Sequence, residues 1–110
     1  MTTATQSIID AEPISREQIF RKLVTERAQL ERFGVRRLAL FGSAVRDELR
    51  ANSDLDFLVD LQDETFRAYM GLKFFLEDIL GRKVDLVCFQ NLKPRVRDRV
   101  LKEAIHVEGY

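Results

Sequence analysis

The chain has 110 residues, 45% of them hydrophobic, and its 18 lysines and arginines balance 18 aspartates and glutamates. That length makes one domain with a single core, and zero net charge gives no reason to expect general nucleic-acid binding. One cysteine and one histidine exclude an internal disulfide and a multi-cysteine zinc site, and no apolar run approaches the ~18 residues of a membrane span.

Residues 1–12 are small and polar and read as a loose N-terminal tail, which leaves residues 13–110 as the folded domain. Met1 to Ala11 lacks the charged start and apolar middle of a signal peptide, so a cytoplasmic protein is expected. Ser15 reads as an N-cap, with Gln18 completing a capping box and Pro13 just upstream. Ile19, Phe20, Leu23, Val24, Ala28 and Phe33 then recur at three- and four-residue steps, which predicts one amphipathic helix ending at Gly34. Arg16, Glu17, Arg21, Lys22, Glu26, Arg27 and Glu31 supply its solvated face.

Val35 to Phe41 is the first strand and Gly42-Ser43 the turn after it. Ala44 to Arg50 makes about two helical turns with Val45 and Leu49 inward, and Ala51-Asn52-Ser53 is a turn. Leu55 to Leu61 is the second strand. Asp63 and Glu64 acidify the start of a helix carrying Phe66, Tyr69, Met70, Leu72, Phe74, Phe75, Ile79 and Leu80, which Gly81 ends. That much apolar surface exceeds one stripe, so this helix is central to the fold or also meets a partner. Val84 to Phe89 is the third strand, and Asn91 to Pro94 a loop with Pro94 opening the last helix. Val96, Val100, Leu101 and Ala104 line the inner side of that helix; Arg95, Arg97, Arg99 and Lys102 lie outside. Ile105-His106-Val107 adds a short edge strand. Cys88, ending an apolar run, reads as a buried, inert thiol.

Chemistry concentrates at the first two strands. Residues two apart on a strand share a face, so Asp54 and Asp56 stand side by side while Leu55, Phe57 and Val59 enter the core. Two carboxylates on one face repel each other unless a cation lies between them. Oxygen ligands suit magnesium, which is typically held by one or two carboxylates plus substrate phosphates. Gly42 lets the backbone approach such phosphates, and a helix starting there favours an anion. Arg46, one helical turn past Ser43, either reaches a phosphate or lies in solvent. Alone, a Gly-Ser turn is most often only a turn, and an Asp-x-Asp pair a solvated strand edge. The charge is also uneven: Asp54 to Glu64 holds five acids and no base, whereas Lys93 to Lys102 has a net charge of +4. The second segment suits a phosphate or a partner.

Gly42-Ser43, ten residues, then Asp54-x-Asp56 resembles the signature of the nucleotidyltransferase superfamily related to DNA polymerase beta, in particular its minimal nucleotidyltransferase (MNT) branch. The resemblance runs from about Ile14 to the end. It implies a small α/β fold, a mixed sheet of three to four strands packed with helices. It also implies catalytic, metal-holding carboxylates at Asp54, Asp56 and, on a later strand, Asp85 in Lys83-Val84-Asp85-Leu86-Val87. Gly42, Ser43 and Arg46 would bind nucleotide, with two Mg²⁺ ions as cofactor and ATP as substrate.

Proteins that resemble this chain at this length commonly act as antitoxins beside a HEPN-domain ribonuclease, transferring AMP to a toxin tyrosine. The implied partner is therefore a HEPN toxin, in a homo- or hetero-oligomer, with no membrane and no direct nucleic acid. Two other readings stay open: an antitoxin that acts by binding alone, and a small-molecule nucleotidyltransferase, which normally needs a second domain. Members often continue Gly-Ser-x-Ala-Arg-Gly, whereas here Gly42-Ser43-Ala44-Val45-Arg46-Asp47 places Asp47 where glycine is common. A carboxylate there weakens nucleotide binding if it points inward and does nothing if it points outward.

Overall fold

The structure is a computed structural model that describes residues 15–42, 45, 54–63 and 65–107. The expected tail, the Ala44–Arg50 helix apart from Val45, and the Ala51–Ser53 turn lie outside the described residues.

Ser15 caps the first helix, α1 (Arg16–Thr25), through the expected reciprocal pair. Its hydroxyl accepts from the Gln18 amide, and the Gln18 side chain accepts from the Ser15 amide. The periodicity predicts one helix to Gly34, but the chain forms two. Thr25 donates its hydroxyl back to the Arg21 carbonyl at 2.9 Å, a bond that competes with regular helix geometry. Glu26 leaves the helical region, and α2 (Arg27–Arg32) starts anew. Gly34 then reverses the chain at φ +81° and its carbonyl accepts from Gln62 at 2.7 Å.

Strand β1 (Val35–Phe41) pairs antiparallel with β2 (Leu55–Leu61), with Leu40 opposite Phe57 and Phe41 opposite Asp56. Helix α3 (Phe66–Leu80) follows, capped by the Thr65 hydroxyl and ended by left-handed Gly81. It forms the crossover that a parallel neighbour requires, and β3 (Val84–Cys88) lies parallel to β2. Phe89 does not extend β3 as its apolar character predicts; it opens a short 3-10 turn, Phe89–Asn91. Helix α4 (Pro94–Glu103) has Pro94 in its first turn, and β4 (Ile105–His106) returns antiparallel to β1. The sheet order is β3-β2-β1-β4: a mixed, four-stranded α/β sheet.

Alternation gives that sheet two faces. Leu38 and Leu40 of β1, Leu55, Phe57 and Val59 of β2, and Val84 and Leu86 of β3 pack against Ile19, Leu23, Leu30, Leu72 and Leu76 of the helices. The opposite face carries Arg37, Asp56, Asp60, Asp85 and His106, which the register places between the core positions. Among the described residues none that is polar or charged is buried. Cys88 is buried, as expected.

Helix α4 departs from expectation. No residue of it is buried, and Val96 and Leu101, read as inward, are 37% and 40% exposed. Spacing marks which face of a helix is apolar but not whether anything covers it. On α3, Phe66 and Phe74 are 77% and 57% exposed while Leu72, Leu76 and Leu80 are buried, so its apolar surface does exceed its contact with the core.

Candidate active site

Strand register assembles the site. Antiparallel pairing brings the end of β1 beside the start of β2, with Phe41 opposite Asp56. Parallel pairing places Asp56 directly opposite Asp85 on β3, so the two carboxylates leave the same face. Asp54 immediately precedes β2, is exposed, and lies near enough to Asp56 for its charge to act on that carboxyl. Asp56 is only partly exposed. Its burial first, then the negative charges of Asp85 and Asp54, push its carboxyl from the usual 3.8 up to about 6. The corner thus carries concentrated negative charge that a cation relieves.

Gly42 explains how the Asp56 carboxylate comes so close to the turn. Its φ is +78°, a conformation L side chains adopt at a cost. A Cβ there would overlap the Asp56 carboxylate, 3.1 Å from Cγ and 3.3 Å from its Cβ. The sequence assigns this glycine to phosphate approach; its nearest neighbour in the structure is Asp56. The Val45 amide donates to the Gly42 carbonyl at 3.1 Å, closing the turn. Ser43, Arg46 and Asp47 lie outside the described residues.

Two residues serve this corner that the sequence placed elsewhere. Arg16, assigned to the solvated face of α1, donates from Nη1 to the Val45 carbonyl at 2.6 Å, linking the N-terminal helix to the turn after Gly42. Tyr69 of α3 donates its hydroxyl to the Leu86 carbonyl at 2.6 Å and so holds β3 one residue past Asp85. Burial first, then the charges of Asp85 and Cys88, raise the Tyr69 phenol, partly offset by Lys73. A tyrosine within an apolar helix signals that its hydroxyl needs a partner. Nothing local identifies that partner as Leu86.

The fold is that of a minimal nucleotidyltransferase. A family model described as nucleotidyltransferase domain matches residues 20–107, and the chain belongs to that family. It is similar to the protein adenylyltransferase MntA of Thermococcus cleftensis, 40% identical over 93 residues, which cover 83% of this chain and 94% of that one. A solved candidate minimal nucleotidyltransferase superposes with a TM-score of 0.73 at 38% identity, covering 84% of this chain and 95% of the other. A Shewanella oneidensis complex of tri-AMPylated HEPN toxin with MNT antitoxin shares the fold at 20% identity. Its TM-score is 0.61, over 86% of this chain and 73% of that one.

Proposed function

We propose that the protein is an antitoxin that transfers AMP from ATP to a hydroxyl, a tyrosine's by preference, of a partner HEPN ribonuclease toxin and so neutralises it. The observation that carries the chemistry is the meeting of Asp56 with Asp85 across β2 and β3 and with Gly42 at the end of β1. The relationship to a named protein adenylyltransferase at 40% identity supports a protein acceptor, and the likeness to an AMPylated toxin complex agrees with it. No helix among the described residues is long and apolar enough to cross a membrane, which is compatible with work in the cytoplasm.

The side chains present fit Mg²⁺. The donors are hard carboxylate oxygens, and the Asp56 carboxyl is raised first by burial and then by the charges of Asp85 and Asp54. Among the described residues no three His, Cys, Asp or Glu side chains converge as a metal cage. Magnesium needs no such cage, because nucleotide phosphates and waters complete its shell. Asp54 and Asp56 would hold it, with Asp85 completing one site. When bound, magnesium offsets the charge on the attacking and leaving oxygens.

The chain's own groups then have defined tasks. The backbone at Gly42 and the following turn lie against the outer phosphates, with Ser43 and Arg46 assigned to the same role. The acceptor hydroxyl oxygen bonds to the α-phosphorus as the bond to the bridging oxygen breaks and pyrophosphate leaves. The hydroxyl proton passes to an Asp85 carboxylate oxygen. Tyr69 steadies β3 behind Asp85, and Arg16 steadies the turn beyond Gly42.

Incubating the protein with ATP, Mg²⁺ and the partner toxin, followed by intact-mass measurement, tests this reading. The toxin should gain AMP with the wild type and none with an Asp54→Asn/Asp56→Asn double variant that still binds it. Full protection of cells by that variant at matched low expression would leave a binding-only antitoxin instead.

A further inference from the structure

Further along the same face of the sheet lies a cleft that the transfer chemistry does not use. Arg37 of β1 and Asp60 of β2 are register partners, joined Nε to Oδ2 at 3.3 Å. The Arg37 guanidinium lies 4.3 Å from the centre of the Phe89 ring. Phe89 in turn stacks on His106 of β4 at 6.2 Å with 13° between planes. Arg97 and Leu101 of α4 close the other side of a cleft of about 660 Å³.

Charge and position say what fits there. Asp60 is engaged by Arg37, whereas Arg97 takes part in none of the ion pairs among the described residues. Arg95, Arg99 and Lys102 are exposed elsewhere on the same helix, and Arg97 is the α4 cation that lines the cleft. A guanidinium stacked on an aromatic ring is planar and weakly hydrated, suited to a carboxylate. Phe89 and Leu101 offer apolar contact beside it. Asp60 follows Asp56 by four residues on β2, so the cleft is about 13 Å from the carboxylate corner along the strand.

We propose that this cleft docks an acidic stretch of the acceptor polypeptide, about four extended residues from the hydroxyl that receives AMP. The proposal rests on the reading of the chain as a protein adenylyltransferase. A polypeptide with localised carboxylates can pair with Arg97 in the cleft and present a neutral hydroxyl to the acidic corner. A polyanion laid along this face, such as RNA, meets Asp54, Asp56 and Asp85 and is repelled.

The test uses the full chain and two short fluorescein-labelled peptides, one with glutamates about four residues from a single tyrosine, its twin with glutamines there. In low-salt anisotropy titrations the glutamate peptide should bind about tenfold more tightly than its twin, and Arg97→Glu should abolish that preference. Arg97 is exposed, and Arg97→Ala with a melting curve controls for folding. With the partner toxin, Arg97→Glu should raise the KM for toxin about tenfold and leave kcat unchanged.

Equal binding of the twins, unchanged binding by Arg97→Glu, or tighter binding of a single-stranded RNA oligonucleotide to the cleft would overturn the proposal. AMP transfer with an unchanged toxin KM in Arg97→Glu removes the cleft and keeps the adenylyltransferase. Glutamate-dependent, Arg97-dependent binding without AMP transfer to the toxin keeps the cleft and removes the adenylyltransferase.

Discussion

Replacing Gly42 with alanine separates backbone strain from damage to the site. Gly42 has φ +78°, and an L residue in that region costs roughly 1–2 kcal/mol. The new methyl would also overlap the Asp56 carboxylate, which must rotate off its preferred torsion at about 0.5–1.5 kcal/mol. The expected loss is about 2 kcal/mol, a fall in Tm of roughly 10 °C for a domain of this size. Moving Asp56 by about 1 Å should lower AMP transfer roughly 100-fold, since reacting groups tolerate little misplacement. Gly81→Ala supplies the control. Gly81 also has positive φ, +67°, but nothing lies within 4 Å of an added Cβ, so it should lose about 1 kcal/mol and no activity. Thermal melts and intact-mass kinetics on the toxin read both quantities. If Gly42→Ala melts lower yet transfers AMP as fast as Gly81→Ala, the contact between Gly42 and Asp56 does not matter to the chemistry.

Other substitutions probe the supports of the site. Tyr69→Phe removes the bond to the Leu86 carbonyl and should cost about 1 kcal/mol in denaturant melts, with a several-fold fall in kcat if that bond positions Asp85. Arg16→Met keeps much of the side chain's bulk but loses the bond to the Val45 carbonyl. It should raise the KM for ATP more than it lowers Tm, and an unchanged KM would remove Arg16 from the site. Glu77 accepts from Lys73 at 2.8 Å and from the Val84 amide at 3.0 Å, and these bonds hold its carboxyl below the usual 4.5. A lowered carboxyl stabilises the fold above its unfolded value and loses that contribution as pH falls through the folded one. Glu77→Gln should therefore be less stable by about 1 kcal/mol at pH 7, the gap to wild type closing progressively below pH 4.5. A gap that persists at pH 3 would refute the ionic origin.

Local chemistry made much of this protein legible before any coordinates. The Ser15–Gln18 capping box, the strand over Val35–Phe41, Gly81 in the left-handed region and Pro94 opening a helix all depend on neighbours a few residues away. Such preferences are written into the side chains themselves. The resemblance carried by Gly42-Ser43 and Asp54-x-Asp56 pointed to those residues, and to Asp85 on a later strand, as the candidate site.

Only the tertiary structure decided how these residues meet. Asp56 lies beside Asp85 because β3 runs parallel to β2 in one register, and a slip of one residue would turn Asp85 toward the core. That register is set by Phe57 and Leu86 packing against the helices, which is long-range burial and not spacing. Arg16 reached Val45 across 29 residues, and Tyr69 reached Leu86 across 17, though one read as solvated and the other simply as part of the helix's apolar surface. Helix α4 shows the converse: its pattern called for a buried face, yet Val96 and Leu101 stay exposed. An apolar pattern states what a helix can bury; only the placement of the other elements determines whether anything is there to bury it against.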